Sequence, residues 1–225
     1  MLLYFIDNDI IIELASYKLL GETMASFNLT YKDKAVRILP SASSYINSNS
    51  ELRKKYKPET LQLAKSRADN YEKINKSLID QEEGSEYQSL IAIEKIDAGE
   101  ALLVAATEYE SDFYILTCDK KFLKALSKSN LTNIKQRLYK RIICLEQLII
   151  HLINHNDFDK VCLRIASSEL SNCDIAEAFK NSRLTQKELA LKTLEQRVKK
   201  LRDETGDLLI ESLPPPPIEI KTPDP

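Results

Sequence analysis

LLYFIDNDII (residues 2–11) runs through five apolar residues, meets Asp7 and Asp9, and returns to isoleucine. A carboxylate has no place in a buried strand unless it is paired, capped or bound to a cation. The stretch is best read as a strand over 2–6 that stops at Asp7. A helix over 10–20 (IIIELASYKLL) follows, with Asp9 at its N-cap. A strand that passes straight into a helix points to an α/β fold with a parallel sheet. AVRILP (35–40) reads as a second strand, stopped by Pro40, and SASSYI after it opens another helix. FYILTCD (113–119) is the clearest central strand, and it too ends in an aspartate. RIICLEQLIIHLI (141–153) reads as a strand passing into a helix.

The rest of the chain is helix-prone. Residues 51–82 are polar, with apolar positions at 61, 64, 68, 71, 74 and 78, the spacing of a helix with one packed face. Pro58 belongs in the first turn of a new helix. Residues 90–96 and 99–109 read as a helix pair interrupted near Asp97-Ala98-Gly99. Beyond about residue 156, residues 157–180 and 184–204 predict two or three helices. Leu191, Leu194, Val198 and Leu201 fall at heptad spacing, over too short a run for a coiled coil, and read as core or as a partner-helix contact. LPPPPIEIKTPDP (213–225) favours extended polyproline structure.

With 225 residues, 43% hydrophobic and 29% charged, the chain has the composition of a globular protein able to bury a sizeable core. The four cysteines show no CxxC spacing and read as reduced, mostly buried thiols. MLLYFIDND lacks the basic start of a signal peptide, and LIIHLI is too short to span a bilayer. The expectation is a cytoplasmic protein that makes no use of a membrane.

Two strands that end in Asp7 and Asp119 would deliver like charges to one edge of a parallel sheet, where such folds bind ligands. A hard cation, Mg²⁺ or Mn²⁺, would relieve that repulsion through oxygen ligands. IDAGEALLVAA (96–106) adds Glu100, an acid on the first turn of an otherwise apolar helix. Each acid also has a plainer reading. Asp7 can be a turn residue, Asp119 the cap of KKFLKAL, and Glu100 a partner of the helix dipole. Asp9 reads as cap, as support for the first acid or as a further ligand.

A strand ending in Asp-x-Asp, a GEA helix, and a strand ending in TCDKKF, in that order, resemble the PIN-domain family of metal-dependent nucleases, over about residues 1–155. RIICLEQLI is similar to that family's last strand and helix. The resemblance implies a three-layer α/β/α fold around a mostly parallel sheet, here with a helical insertion at about 50–85. A helical extension over 156–212 and a proline-rich tail over 213–225 would follow. It further implies that Asp7, Glu100 and Asp119 hold Mg²⁺ or Mn²⁺ and carry catalysis, with Asp9 supporting them or serving as a further ligand. Thr117 matches a frequent polar position before the last acid. The implied activity is hydrolysis of RNA phosphodiester bonds, as in the ribonuclease toxins of bacterial toxin–antitoxin or defence pairs. An antitoxin or other protein partner bound through the C-terminal helices, and a homodimer, are further implications. The chain departs from the pattern after Pro40, where SASSYINSNS carries no acid and the family often has a Glu. Glu51 and Asp97 are the candidates to supply it. The alternative is a catalytically weakened PIN fold that serves as a scaffold or interaction module.

Between Lys120 and Arg141 there are eight basic residues and no acid. Lys120, Lys121, Lys124, Arg137, Lys140 and Arg141 are therefore the candidate nucleic-acid contacts. RKKYK (53–57) is a second basic cluster, in which Tyr56 could stack on a base. His151 and His155 lie four apart, with Leu152 following His151 where a zinc protease needs Glu, and read as a surface pair. RLTQKELALKTLEQR (183–197) echoes the opening of a helix-turn-helix without its second helix.

Overall fold

The computed structural model describes residues 1–29, 34–168 and 172–213; nearly all of the proline-rich tail lies outside them. The chain begins β1 (Leu3–Ile6), α1 (Asn8–Ser16), α2 (Leu20–Ser26), β2 (Val36–Ile38), α3 (Ala42–Ser48), α4 (Ser50–Lys55), α5 (Pro58–Asn70) and β3 (Glu72–Lys73). It continues α6 (Glu86–Ile91), α7 (Ala98–Ala105), β4 (Phe113–Thr117), α8 (Lys120–Lys128), α9 (Thr132–Arg137), β5 (Ile142–Cys144) and α10 (Leu145–His155). Then come α11 (Phe158–Ala166), α12 (Cys173–Ala178) and α13 (Lys187–Thr205).

The five strands form one parallel sheet in the order β3-β2-β1-β4-β5, with helices packed on it. Alternate residues of β1 enter different cores: Tyr4 and Ile6 pack with α1, α3, α5 and α10, while Leu3 and Phe5 pack with α7 and α8. A strand buried on both faces needs an unbroken apolar run, which is why LLYFI and FYIL carry no alternating polar residues. The layered α/β architecture expected from the sequence is present, and its sheet is wholly parallel.

The strand order reverses between β1 and β4. From β1 the chain moves outward through β2 to β3, then returns to lay β4 on the other side of β1. That switch point is where parallel α/β sheets leave a crevice at the carboxyl ends of their strands.

The C-terminal helices share these two cores. Ala190 and Leu194 of α13 join the first, and Val198 and Leu201 join the second. The leucine stripe is thus spent inside the chain rather than offered to a partner. Beyond α13 the backbone runs beside β5: Ile142 N–H donates to Leu208 O (3.0 Å) and Ile210 N–H to Ile142 O (2.9 Å). This covers an edge that would otherwise expose unpaired backbone groups.

Several boundaries differ from the sequence reading. The first helix starts at Asn8 rather than Ile10, so Asp7 occupies the N-cap and Asp9 lies in the first turn. It also ends early. Lys18 takes a left-handed φ of 55°, Leu19 N–H reaches Leu14 O and Lys18 N–H reaches Ala15 O, a Schellman stop. The expected helical stretch 51–82 ends at Asn70 and contributes a two-residue edge strand, Glu72–Lys73, paired with Arg37 and Ile38. Leu78 is 73% exposed, so the apolar spacing does not continue there as a packed face. Pro58 stands in the first turn of α5, as expected. All four cysteines are free thiols; Cys144 and Cys162 are buried, Cys118 is half-buried and Cys173 is exposed. Among the described residues no helix is long and apolar enough to cross a membrane.

Candidate acidic active site

Asp7 and Asp119 arrive together because their strands are in register. Ile6 pairs with Leu116, and Asp7 N–H donates to Leu116 O at 3.0 Å. Thr117 then bridges the two acids. Its hydroxyl donates to Asp7 Oδ2 (3.1 Å) and accepts from Asp119 N–H (3.1 Å). Asp7 sits at an N-cap without capping, because its side chain is drawn across to Thr117.

Asp119 does cap. Its Oδ1 accepts from Lys121 N–H (2.6 Å) and Phe122 N–H (2.8 Å) at the start of α8. Glu100 and Asp97 form a reciprocal capping box on α7. Asp97 Oδ1 accepts from Glu100 N–H (2.8 Å), and Glu100 Oε2 accepts from Asp97 N–H (2.8 Å). Gly99 makes the close approach between them comfortable. A Cβ there would come within 3.0 Å of Leu39 Cδ1 and 3.2 Å of Asp97 Oδ1. Each of these three acids spends one oxygen on a cap, and its second oxygen is not drawn into these bonds. The plainer capping roles and a ligand role are thus compatible.

Asp7, Asp9, Asp97, Glu100 and Asp119 all line one cavity of about 210 Å³, with Asn8, Ser41 and Tyr45. Asp97 therefore stands at the site, whereas Glu51 is exposed and paired with Lys54 (2.7 Å). From α3, after Pro40, the side chains that reach the cavity are Ser41 and Tyr45. The sequence reading passed over Asn8, whose Oδ1 is buried with no hydrogen-bond partner. Its signal was its place between the two acids. Five carboxylates and an orphaned amide oxygen are a hard-oxygen donor set that suits Mg²⁺ or Mn²⁺. Among the described residues no three acidic, His or Cys side chains already stand at metal-binding spacing.

The electrostatics are those of crowded acids. Burial, and then the charge of Asp9, push Asp7 up to about 7. Burial pushes Glu100 up to about 8, with Asp97, Asp119 and Asp7 adding to the rise. Carboxyls raised in the fold hold protons that the unfolded chain has already released. Their stabilising contribution is complete below about pH 4 and is lost as pH rises to about 8. His151, lowered to about 4 by burial, acts in the opposite sense, and only below its unfolded value of 6.5. In a chelator, the melting temperature should fall by roughly 5 °C between about pH 6.5 and about pH 8.5. Asp7→Asn should flatten that slope. Thermal melts across the window check this, and a flat wild-type profile would refute it.

The candidate nucleic-acid contacts are mostly committed elsewhere. Lys120 bonds Glu146 and Asp174, and Lys124 pairs with Glu204 (2.8 Å). Arg137 forms a fork with Glu86, Lys140 pairs with Glu211 (2.6 Å) and Arg141 with Asp112 (3.4 Å). Among the described residues Lys121 alone of the six makes no ion pair. In the second cluster Tyr56 is buried and donates to Glu13 (2.8 Å), so it cannot stack on a base. His151 is also buried, stacked on Phe27 (5.9 Å between ring centroids), and is not the surface residue expected.

Fold and cavity together define an all-parallel α/β protein with an acidic site at its topological switch point. Comparison with protein-family models, with curated proteins and with solved structures finds no match.

Proposed function

We infer that the chain is a PIN-like, metal-dependent phosphodiesterase that cleaves RNA internally. The observation that supports this most is the gathering of Asp7, Asp9, Asp97, Glu100 and Asp119 around one cavity at the switch point. Asp7, Glu100 and Asp119 would hold Mg²⁺ or Mn²⁺, with Asp9 and Asp97 at its border. A cation held there would supply an electrophile for a phosphate oxygen and would acidify a bound water. The chain's own residues prepare that place. Thr117 fixes Asp7 relative to Asp119, and the two caps hold Glu100 and Asp119 before any ligand arrives. No nucleophilic side chain is required. A neutralising protein partner, as in a toxin–antitoxin pair, would act by covering this cavity, since the leucine stripe of α13 lies in the core.

The test is cleavage of labelled RNA by purified protein with Mn²⁺, set against the same reaction in excess chelator. Chelator-sensitive internal cleavage supports the reading, and intact RNA in both arms rejects it. The scaffold alternative draws on the missing acid after Pro40, where Ser41 and Tyr45 face the cavity instead. Calorimetric titration separates the two: no heat at millimolar-range Mn²⁺ favours the scaffold.

A further inference from the structure

Beside the acid cavity lies a groove of about 610 Å³ lined by Lys95, Lys121, Lys124 and Lys128, with Glu94 its one acid. We propose that this groove is a binding track for the phosphate backbone of a single-stranded nucleic acid. Its role as the track of the cleaved strand rests on the nuclease reading, whereas binding itself does not.

The two features are lined by neighbouring residues of the same chain segments. Lys95 lies two residues before Asp97, and Lys121 lies two residues after Asp119, which caps it through the backbone. The same two chain segments thus present acids to the cavity and lysines to the groove. On α8, Lys121, Lys124 and Lys128 recur at the three- and four-residue spacing of one helix face. The helical rise sets them about 4.5 and 6 Å apart along the axis.

Like charges at that spacing destabilise a helix unless something compensates them. Glu204 compensates Lys124, while among the described residues no ion pair involves Lys95, Lys121 or Lys128. Lys95 holds a left-handed backbone, φ 74°, a conformation disfavoured for a side chain of this kind. The exposed ammonium groups of Lys95, Lys121 and Lys128 are therefore open to a polyanion. No aromatic residue lines the groove, so it offers no platform for bases. It would hold phosphates and tolerate many sequences.

The experiment is fluorescence anisotropy of a short labelled oligouridylate in chelator, so that cleavage does not intervene, between about 50 and 200 mM salt. The variants are Lys121→Glu/Lys128→Glu and the milder Lys121→Gln/Lys128→Gln, each checked by thermal melting. Charge reversal should weaken binding about tenfold or more and reduce the slope of log K against log salt by about 1.4. Neutralisation should give the same slope change with a smaller loss of affinity. Wild-type affinity and slope in both folded variants would overturn the proposal. So would tighter binding of poly-glutamate than of oligouridylate at equal charge concentration, which would mark the groove as a docking surface for acidic protein. If the variants lose binding while wild-type protein with Mn²⁺ leaves RNA intact, the groove stands and the nuclease reading fails.

Discussion

Asp119→Asn should leave the fold in place and lower Mn²⁺-dependent RNA cleavage by about a hundredfold or more. Asn caps helices as well as Asp does, so the bonds to Lys121 and Phe122 can persist while the charge is lost. Asp7→Asn should be as damaging to cleavage and should also raise the melting temperature of the metal-free protein. The wild-type acid is held up to about 7 by burial and by Asp9, so removing its charge relieves a cost. A gain in stability together with a loss of activity marks groups kept for function rather than for the fold. Initial rates on labelled RNA, paired with melts in chelator, test both variants. Wild-type rates in either variant, or a destabilised Asp7→Asn protein, would refute the assignment.

Much of the scaffold behind these acids is visible in the sequence because burial on both faces leaves a plain signature. LLYFI, FYIL and the IIC of β5 read as strands since every position is apolar, and Asp7 and Asp119 mark where the first two runs stop. β3 left no such signature. Glu72 and Lys73 are polar because an edge strand meets solvent and pairs only with β2. The start of α1 was misplaced by the same chemistry that builds the site. Asp9 looks like a cap, but the cap position belongs to Asp7, whose side chain is engaged by Thr117, 110 residues away. In the sequence Asp97 stands only as a candidate for the missing acid. Its pairing with Glu100 is local, an Asp followed three residues later by Glu, and a capping-box reading of DAGE would have found it. The basic block misled for a different reason. Its partners Glu86, Asp112, Glu146, Asp174, Glu204 and Glu211 lie far along the chain, so a stretch with no local acid looked unpaired.

Lys120 shows what that misreading implies. Glu146 on α10 is 1% exposed, its Oε1 is bonded by Lys120, and its Oε2 has no partner. Lys120 also bonds Asp174 on α12, which Arg197 on α13 meets at 3.1 Å. This chain of charges ties the C-terminal helices to α8, the helix that Asp119 caps. Removing one member of such a pair leaves a buried charge unmatched, which costs far more than the intact pair contributes. Lys120→Met should therefore lower stability by about 3 kcal/mol, discounted for the partial exposure of the lysine. Lys120→Met/Glu146→Gln should recover most of it, because no unmatched buried charge remains. Urea denaturation of the two variants measures the difference. A surface lysine that served only to hold nucleic acid would behave in the opposite way, losing RNA affinity at unchanged stability. That outcome would return Lys120 to the binding surface from which its burial against Glu146 removes it.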